Sequence, residues 1–121
     1  MSGVWTPGKA AGKQPFPRSY HTASELNGKI YIFGGKEDGA PSDSTLYILN
    51  TGLWLFSNVN CKINPNTIYS AGLKSWNIPK TTGVPPSPRY GHTANMVDKK
   101  MYVFGGHGDK KLNDHFVLNS G

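Results

Sequence analysis

The residues able to do chemistry in this chain are few. They are four histidines (His21, His92, His107, His115), one cysteine (Cys61) and a pair of arginines, Arg18 and Arg89, each three positions ahead of a histidine. Thiols and imidazoles at close spacing would suggest a metal, but Cys61 stands alone and His107 and His115 are separated by a turn. Gly34-Gly35 and Gly105-Gly106 follow apolar runs and lead into polar stretches, whereas a phosphate-cradling loop must open a helix. No serine sits in a nucleophile elbow. No catalytic residue, metal or cofactor is expected. What remains is recognition chemistry: an arginine fork suited to clamping an anion, beside an imidazole suited to a proton or a ligand.

Both arginines belong to a sentence the chain writes twice. "PRSYHTASELNGKIYIFGG" starts at Pro17 and "PRYGHTANMVDKKMYVFGG" at Pro88, a shift of 71. Arg18 meets Arg89, His21 meets His92, Thr22-Ala23 meets Thr93-Ala94, and Phe33-Gly34-Gly35 meets Phe104-Gly105-Gly106. Backwards, Trp5 meets Trp76, Gly12 meets Gly83 and Pro15 meets Pro86. Forwards, "TLYILN" answers "HFVLN" after a two-residue deletion.

Each unit reads as short strands divided by turn signals. "HTASELNG" is a strand closed by Asn27-Gly28, a hairpin pair. "KIYIFGG" alternates Ile30 and Ile32 with Tyr31 and Phe33, so it is apolar on both faces and must be covered on both. "TLYILN" is a third strand and "LKSWNI" a fourth. Four strands per unit, stacked face to face with the next unit, is the blade of a β-propeller. The fold class expected is all-β.

On these residues the chain resembles the kelch family. The resemblance rests on the "PxPRxxHTA" lead-in, the aromatic-Gly-Gly doublet, the "LYxLN" strand and the spaced tryptophan, and covers about five sixths of the chain. It implies a kelch-type propeller segment of about two four-stranded blades, a partial propeller. The whole of 1–121 is then kelch-repeat region: 4–7 as the last strand of a preceding blade, 17–78 as the first unit, and 88–119 as a second, incomplete unit. The resemblance also implies a protein-binding platform, or alternatively the propeller part of a galactose-oxidase-like enzyme. The copper ligands of that oxidase, tyrosines and histidines with a crosslinked cysteine, do not map onto positions here.

Two features depart from the pattern. A kelch unit has about 50 residues, so the first carries a surplus, an insertion at about 52–71 with the apolar run "LWLF". It reads either as a loop folded onto the propeller rim or as an unspliced intron. And propellers close with roughly four to eight blades. A segment of a longer kelch protein is the favoured reading, with self-association through unpaired blade edges as an alternative.

A net charge of +6 raises the question of nucleic acid, but the basic residues are scattered and only Lys99-Lys100 and Lys110-Lys111 are adjacent, each beside an aspartate. No nucleic-acid partner is expected. No apolar run is long enough for a membrane span, and "MSGVWTPGKAAGKQPF" lacks the apolar core of a leader. With a single cysteine this suits a reducing, cytoplasmic setting.

Residues that recur with their whole neighbourhood are most economically scaffold. Arg18, Arg89, His21 and His92 therefore read first as hydrogen-bonded turn residues at the start of an inner strand, with the two arginines kept as binding candidates. The loops after the glycine doublets, "KEDGAPSDS" and "HGDKKLN", do not recur. A rigid scaffold presenting variable polar loops on one face is the usual layout of a binding surface. Lys36, Glu37, Asp38, His107, Asp109, Lys110 and Lys111 join Arg18 and Arg89 as candidates for contacting a protein partner.

Overall fold

The computed structural model describes residues 2–52 and 74–121, and within them every regular element is a strand. The first blade holds β1 (Thr22–Leu26), β2 (Lys29–Phe33), β5 (Leu46–Asn50) and β6 (Ser75–Asn77), hydrogen-bonded antiparallel in the order β1-β2-β5-β6. A small hairpin, β3 (Lys36–Glu37) with β4 (Ala40–Pro41), stands between β2 and β5. The second blade is a three-stranded sheet of β7 (Thr93–Val97), β8 (Lys100–His107) and β9 (Lys111–Asn119). This is the all-β, two-unit architecture expected of a partial kelch propeller. The expected insertion at 52–71 lies almost wholly outside the described residues.

The turns explain the register. Asn27 and Gly28 both have positive φ, the backbone of a two-residue hairpin whose twist matches its strands. That turn pairs Leu26 with Lys29 and carries Thr22 opposite Phe33. The second unit repeats it, from Val97 opposite Lys100 to Thr93 opposite Phe104. Phe33 in turn faces Leu46, as Phe104 faces His115, so Thr45 and Asp114 occupy equivalent positions.

The core is the seam between the blades. One face of the first blade gives Tyr31, Phe33 and Leu46, with Leu26 and Ile48 beside them. The opposite face of the second blade gives Met101 and Val103, backed by Ala94, Met96, Phe116 and Leu118. Strand alternation allows this: each sheet turns one set of alternate side chains to the joint, and Met101 and Val103 stand at the repeat positions of Ile30 and Ile32, the set opposite to Tyr31 and Phe33. Polar bonds along the two inner strands fix the stack. Ser24 Oγ donates to the Ala94 carbonyl (2.7 Å), the Gly35 amide to Arg89 (2.9 Å) and the Gly91 amide to Tyr20 (3.0 Å).

The glycine doublets are what let the blades approach. Gly34 and Gly105 both have φ near +65°, where side chains other than glycine's are strained. A Cβ on Gly34 would overlap the His92 ring and lie 2.6 Å from the Arg89 carbonyl oxygen.

One expectation is corrected. Val4–Pro7 forms no strand: residues 2–10 lie in no regular element, and Trp5 is fully exposed. The N-terminal segment instead runs along its own blade. Ala11 makes a parallel bridge to Ser75, exchanging backbone bonds of 3.0 and 2.7 Å with Lys74 and Trp76.

Candidate functional site

The two arginines build the same structure twice. Arg89 is 0% exposed, and its five N–H groups are all engaged. Nε donates to the Ser87 carbonyl (3.1 Å), Nη1 to the Gly105 carbonyl (3.0 Å) and Asp114 Oδ1 (2.5 Å), Nη2 to Ser87 Oγ (3.1 Å) and Asp114 Oδ2 (3.0 Å). Its guanidinium also lies over the Phe116 ring at 5.4 Å. The hydrogen bonds from Arg89 hold the Asp114 carboxyl below its usual carboxylate range. Arg89 is thus corrected from a binding candidate to a bracket joining the lead-in loop to the glycine doublet.

Arg18 repeats the bracket in weaker form. It donates to the Phe16 and Gly34 carbonyls (3.1 and 3.0 Å), reaches Ser42 Oγ at 3.3 Å and lies over Tyr47 at 5.2 Å. Where the second unit has Asp114, the first has Thr45, and Arg18 stays half-buried with no ion pair among the described residues.

The loop candidates divide. Lys36 and His107 are equivalent, each the first residue past a doublet, and each is bridged to its own lead-in loop. Ser19 and Lys36 exchange backbone bonds of 3.0 and 2.7 Å; Tyr90 and His107 exchange bonds of 3.0 and 2.9 Å. Their side chains converge on one ring. Lys36 Nζ lies 5.2 Å from the Tyr90 centroid, and the His107 ring lies 5.3 Å from it. Tyr20 completes the group, its ring 6.2 Å from that of Tyr90. Glu37 follows Lys36 in β3, Asp38 turns the hairpin with positive φ, and Asp109 and Lys110 turn the second hairpin ahead of Lys111. Asp38, Asp109 and Lys110 are exposed turn residues and Lys111 is the exposed first residue of β9; among the described residues none of the four joins the aromatic group.

Tyr20 and Tyr90 were not among the sequence candidates, yet the sequence held the signal. The lead-in reads Ser19-Tyr20 in one unit and Tyr90-Gly91 in the other: the tyrosines occupy different positions, so neither is demanded by the scaffold. The fold brings them together across the blade boundary. Tyr20 is 67% exposed and has φ +56°, a backbone costly for an aromatic residue; its counterpart Gly91 has φ +66°.

An apolar cleft of about 280 Å³ lies elsewhere, between the blades under the 78–86 connection, lined by Phe33, Leu46, Ile78, Met101 and Val103. Among the described residues no titratable side chain lines it. Among the described residues no three His, Cys, Asp or Glu side chains gather closely enough to hold a metal ion.

A four-stranded and a three-stranded blade, stacked through a repeated glycine doublet and bracketed by a repeated arginine, define an open stretch of β-propeller carrying its variable loops on one face. Comparison with known proteins agrees. A family model described as the KLHDC2/KLHL20/DRC7 Kelch-repeats domain matches residues 1–121. The chain belongs to the kelch-repeat family. The human "Rab9 effector protein with kelch motifs" is 34% identical over 113 residues, which are 92% of this chain and 26% of that protein. Its mouse counterpart is 32% identical over 115 residues, 92% of this chain and 25% of that protein. "Rho GTPase-activating protein gacHH" of Dictyostelium discoideum is 31% identical over 116 residues, 96% of this chain but 7% of that protein. The chain therefore spans about a quarter or less of the length of these relatives.

Proposed function

We propose that the chain is a non-catalytic protein-binding module, and that the contact face is the one centred on Tyr20, Lys36, Tyr90 and His107. The observation that carries this reading is the convergence of two non-repeating tyrosines on one face of a repeating scaffold. Exposed tyrosines supply a large, stiff, amphipathic contact area at small entropic cost, which is why they recur as anchors of interfaces. Lys36 and His107 add charge and hydrogen-bonding capacity at the rim of the same patch. The partner class proposed is a small GTPase, since the relatives above are named as a Rab9 effector and a Rho GTPase-activating protein.

The test is calorimetric titration of the chain with Rab9 loaded with a non-hydrolysable GTP analogue. The double variant Tyr20→Gly, Tyr90→Ser gives each lead-in loop the residue the other unit uses there. Binding by the native chain with at least about tenfold loss in the double variant supports the reading. Equal binding by both places the contact elsewhere, and no binding by the native chain removes the Rab9 assignment.

A further inference from the structure

We infer that Asn27 is a deamidation site and that Glu25 restrains the reaction. The side-chain amide of an asparagine can be attacked by the backbone nitrogen of the next residue. A following glycine, with no side chain in the way, gives the easiest approach. Asn27-Gly28 is the sole Asn-Gly pair in the chain, and Asn27 is exposed at the tip of the β1–β2 hairpin. In the reaction the Gly28 nitrogen bonds to Asn27 Cγ and gives up its proton. The side-chain nitrogen takes up a proton and leaves as ammonia, closing an imide ring. Water then opens the ring at either carbonyl, giving aspartate or isoaspartate, whose backbone is longer by a carbon.

In the folded blade the attacking nitrogen is occupied. The Gly28 amide donates to Glu25 Oε1 at 2.9 Å. That bond must break for the nitrogen to turn onto Cγ. A carboxylate beside the nitrogen also opposes the negative charge left when its proton departs. The far side of the same residue is held too: the Thr51 amide and hydroxyl both donate to the Gly28 carbonyl, at 3.1 and 2.7 Å.

Comparison of the two units singles out Glu25. The clamp on the carbonyl is scaffold, because Ser120, at the repeat position of Thr51, donates to the Lys99 carbonyl from its amide (2.9 Å) and hydroxyl (2.8 Å). The carboxylate is not repeated. The second unit has Met96 in place of Glu25, and Asp98-Lys99 in place of Asn27-Gly28. The carboxylate accompanies the one turn of the two that holds an amide to lose.

The two products fit the turn unequally. Asp98 has the same φ as Asn27, +52°, so aspartate is already accepted at this position of the repeat. Isoaspartate would lengthen the turn that pairs Leu26 with Lys29. It would thereby disturb the inner strand whose Ser24 bonds to Ala94 across the joint. Restraint at Gly28 therefore protects the stacking of the blades.

Mass spectrometry of the full chain after incubation at mildly alkaline pH tests this. Trypsin releases residues 19–29, in which Asn27 is the single asparagine. Conversion in the folded native chain should be at least about tenfold slower than in urea. Glu25→Met, which copies the second unit, should convert at least about threefold faster than the native chain when both are folded, and at the same rate in urea. Circular dichroism equal to that of the native chain shows that the variant reacts folded. Glu25→Gln, which keeps the shape without the charge, carries the test if Glu25→Met does not fold. A folded native chain that converts as fast as the unfolded one would overturn the inference. So would folded variants no faster than the native chain, or variants that are faster in urea by the same factor.

Discussion

Thr22 Oγ1 and His92 Nε2 lie 2.8 Å apart across the joint between the two blades, and the His92 ring stands edge-on to Phe33 with centroids 5.5 Å apart. A histidine that begins one inner strand is thus held by a threonine that begins the previous one. Burial, reinforced by the nearby positive charge of Arg89, lowers the His92 pKa from 6.5 to about 4.

Stability should therefore depend on pH in a defined window. The unfolded chain protonates His92 near pH 6.5, while the folded chain resists until about pH 4. Between these values the unfolded state binds more protons, so stability falls on acidification and levels off below the folded pKa. The expected loss is about 1–3 kcal/mol. Urea unfolding at neutral pH and at pH near 4.5 measures it, and His92→Gln should flatten the difference over that range. An unchanged slope in His92→Gln would assign the acid sensitivity to other groups.

The glycine doublets give a comparison within one molecule. Gly34 and Gly105 share a positive φ, so alanine at either meets the same backbone strain, about 1–2 kcal/mol. Only at Gly34 does the new Cβ also run into His92 and the Arg89 carbonyl oxygen. Gly34→Ala should thus cost at least about 1–2 kcal/mol more than Gly105→Ala. Equal losses in thermal unfolding would mean that the joint is looser than it stands here.

Much of this was legible in the sequence because a repeat is a strong constraint. A shift of 71 residues aligned Tyr31 and the doublets, Asn27-Gly28 marked a hairpin, and alternation in "KIYIF" required two covered faces; strand order and the seam follow from these. Other features depend on what each residue meets. Alignment with Trp76 made Val4–Pro7 look like a strand, but Trp76 is in β6 because that strand pairs with β5, whereas Val4–Pro7 pairs with no strand among the described residues. Arg89 was read as a ligand clamp as well as scaffold because the sequence does not show that Asp114, 25 positions on, folds back onto it. The tyrosine pair was missed because Tyr20 and Tyr90 lie 70 residues apart and at different positions of the repeat.

The unequal arginines make a prediction about charge. Asp114→Thr copies the first unit and leaves the buried Arg89 guanidinium short of its bidentate partner; a loss of about 2–4 kcal/mol is expected. Thr45→Asp copies the second unit and offers Arg18 a carboxylate at the position Asp114 holds beside Arg89. Because Arg18 is half-exposed, the gain should be small, up to about 1 kcal/mol, and reduced by salt. Chemical denaturation at two ionic strengths checks both. Destabilisation by Thr45→Asp at low salt would show that the two brackets are not equivalent.

Tyr20 offers the sharpest separation of scaffold from function. Its φ of +56° is costly for an aromatic residue, and the other unit uses Gly91 at the same position. The Tyr20 carbonyl accepts from the Gly91 amide, a backbone bond that any residue at position 20 can make, so the side chain is not needed for the joint. Replacing it with glycine removes the strain but enlarges the conformational freedom of the unfolded chain, and the two effects nearly cancel. Tyr20→Gly should therefore leave stability unchanged or raise it by up to about 1 kcal/mol. The same variant removes a mostly exposed ring from the patch shared with Tyr90 and Lys36, so affinity for the partner should fall about tenfold or more. Stability held with affinity lost is the signature of a side chain kept for contact. A fall in melting temperature equivalent to more than about 1 kcal/mol would instead make Tyr20 a packing residue, and the contact face would have to be sought away from the paired tyrosines.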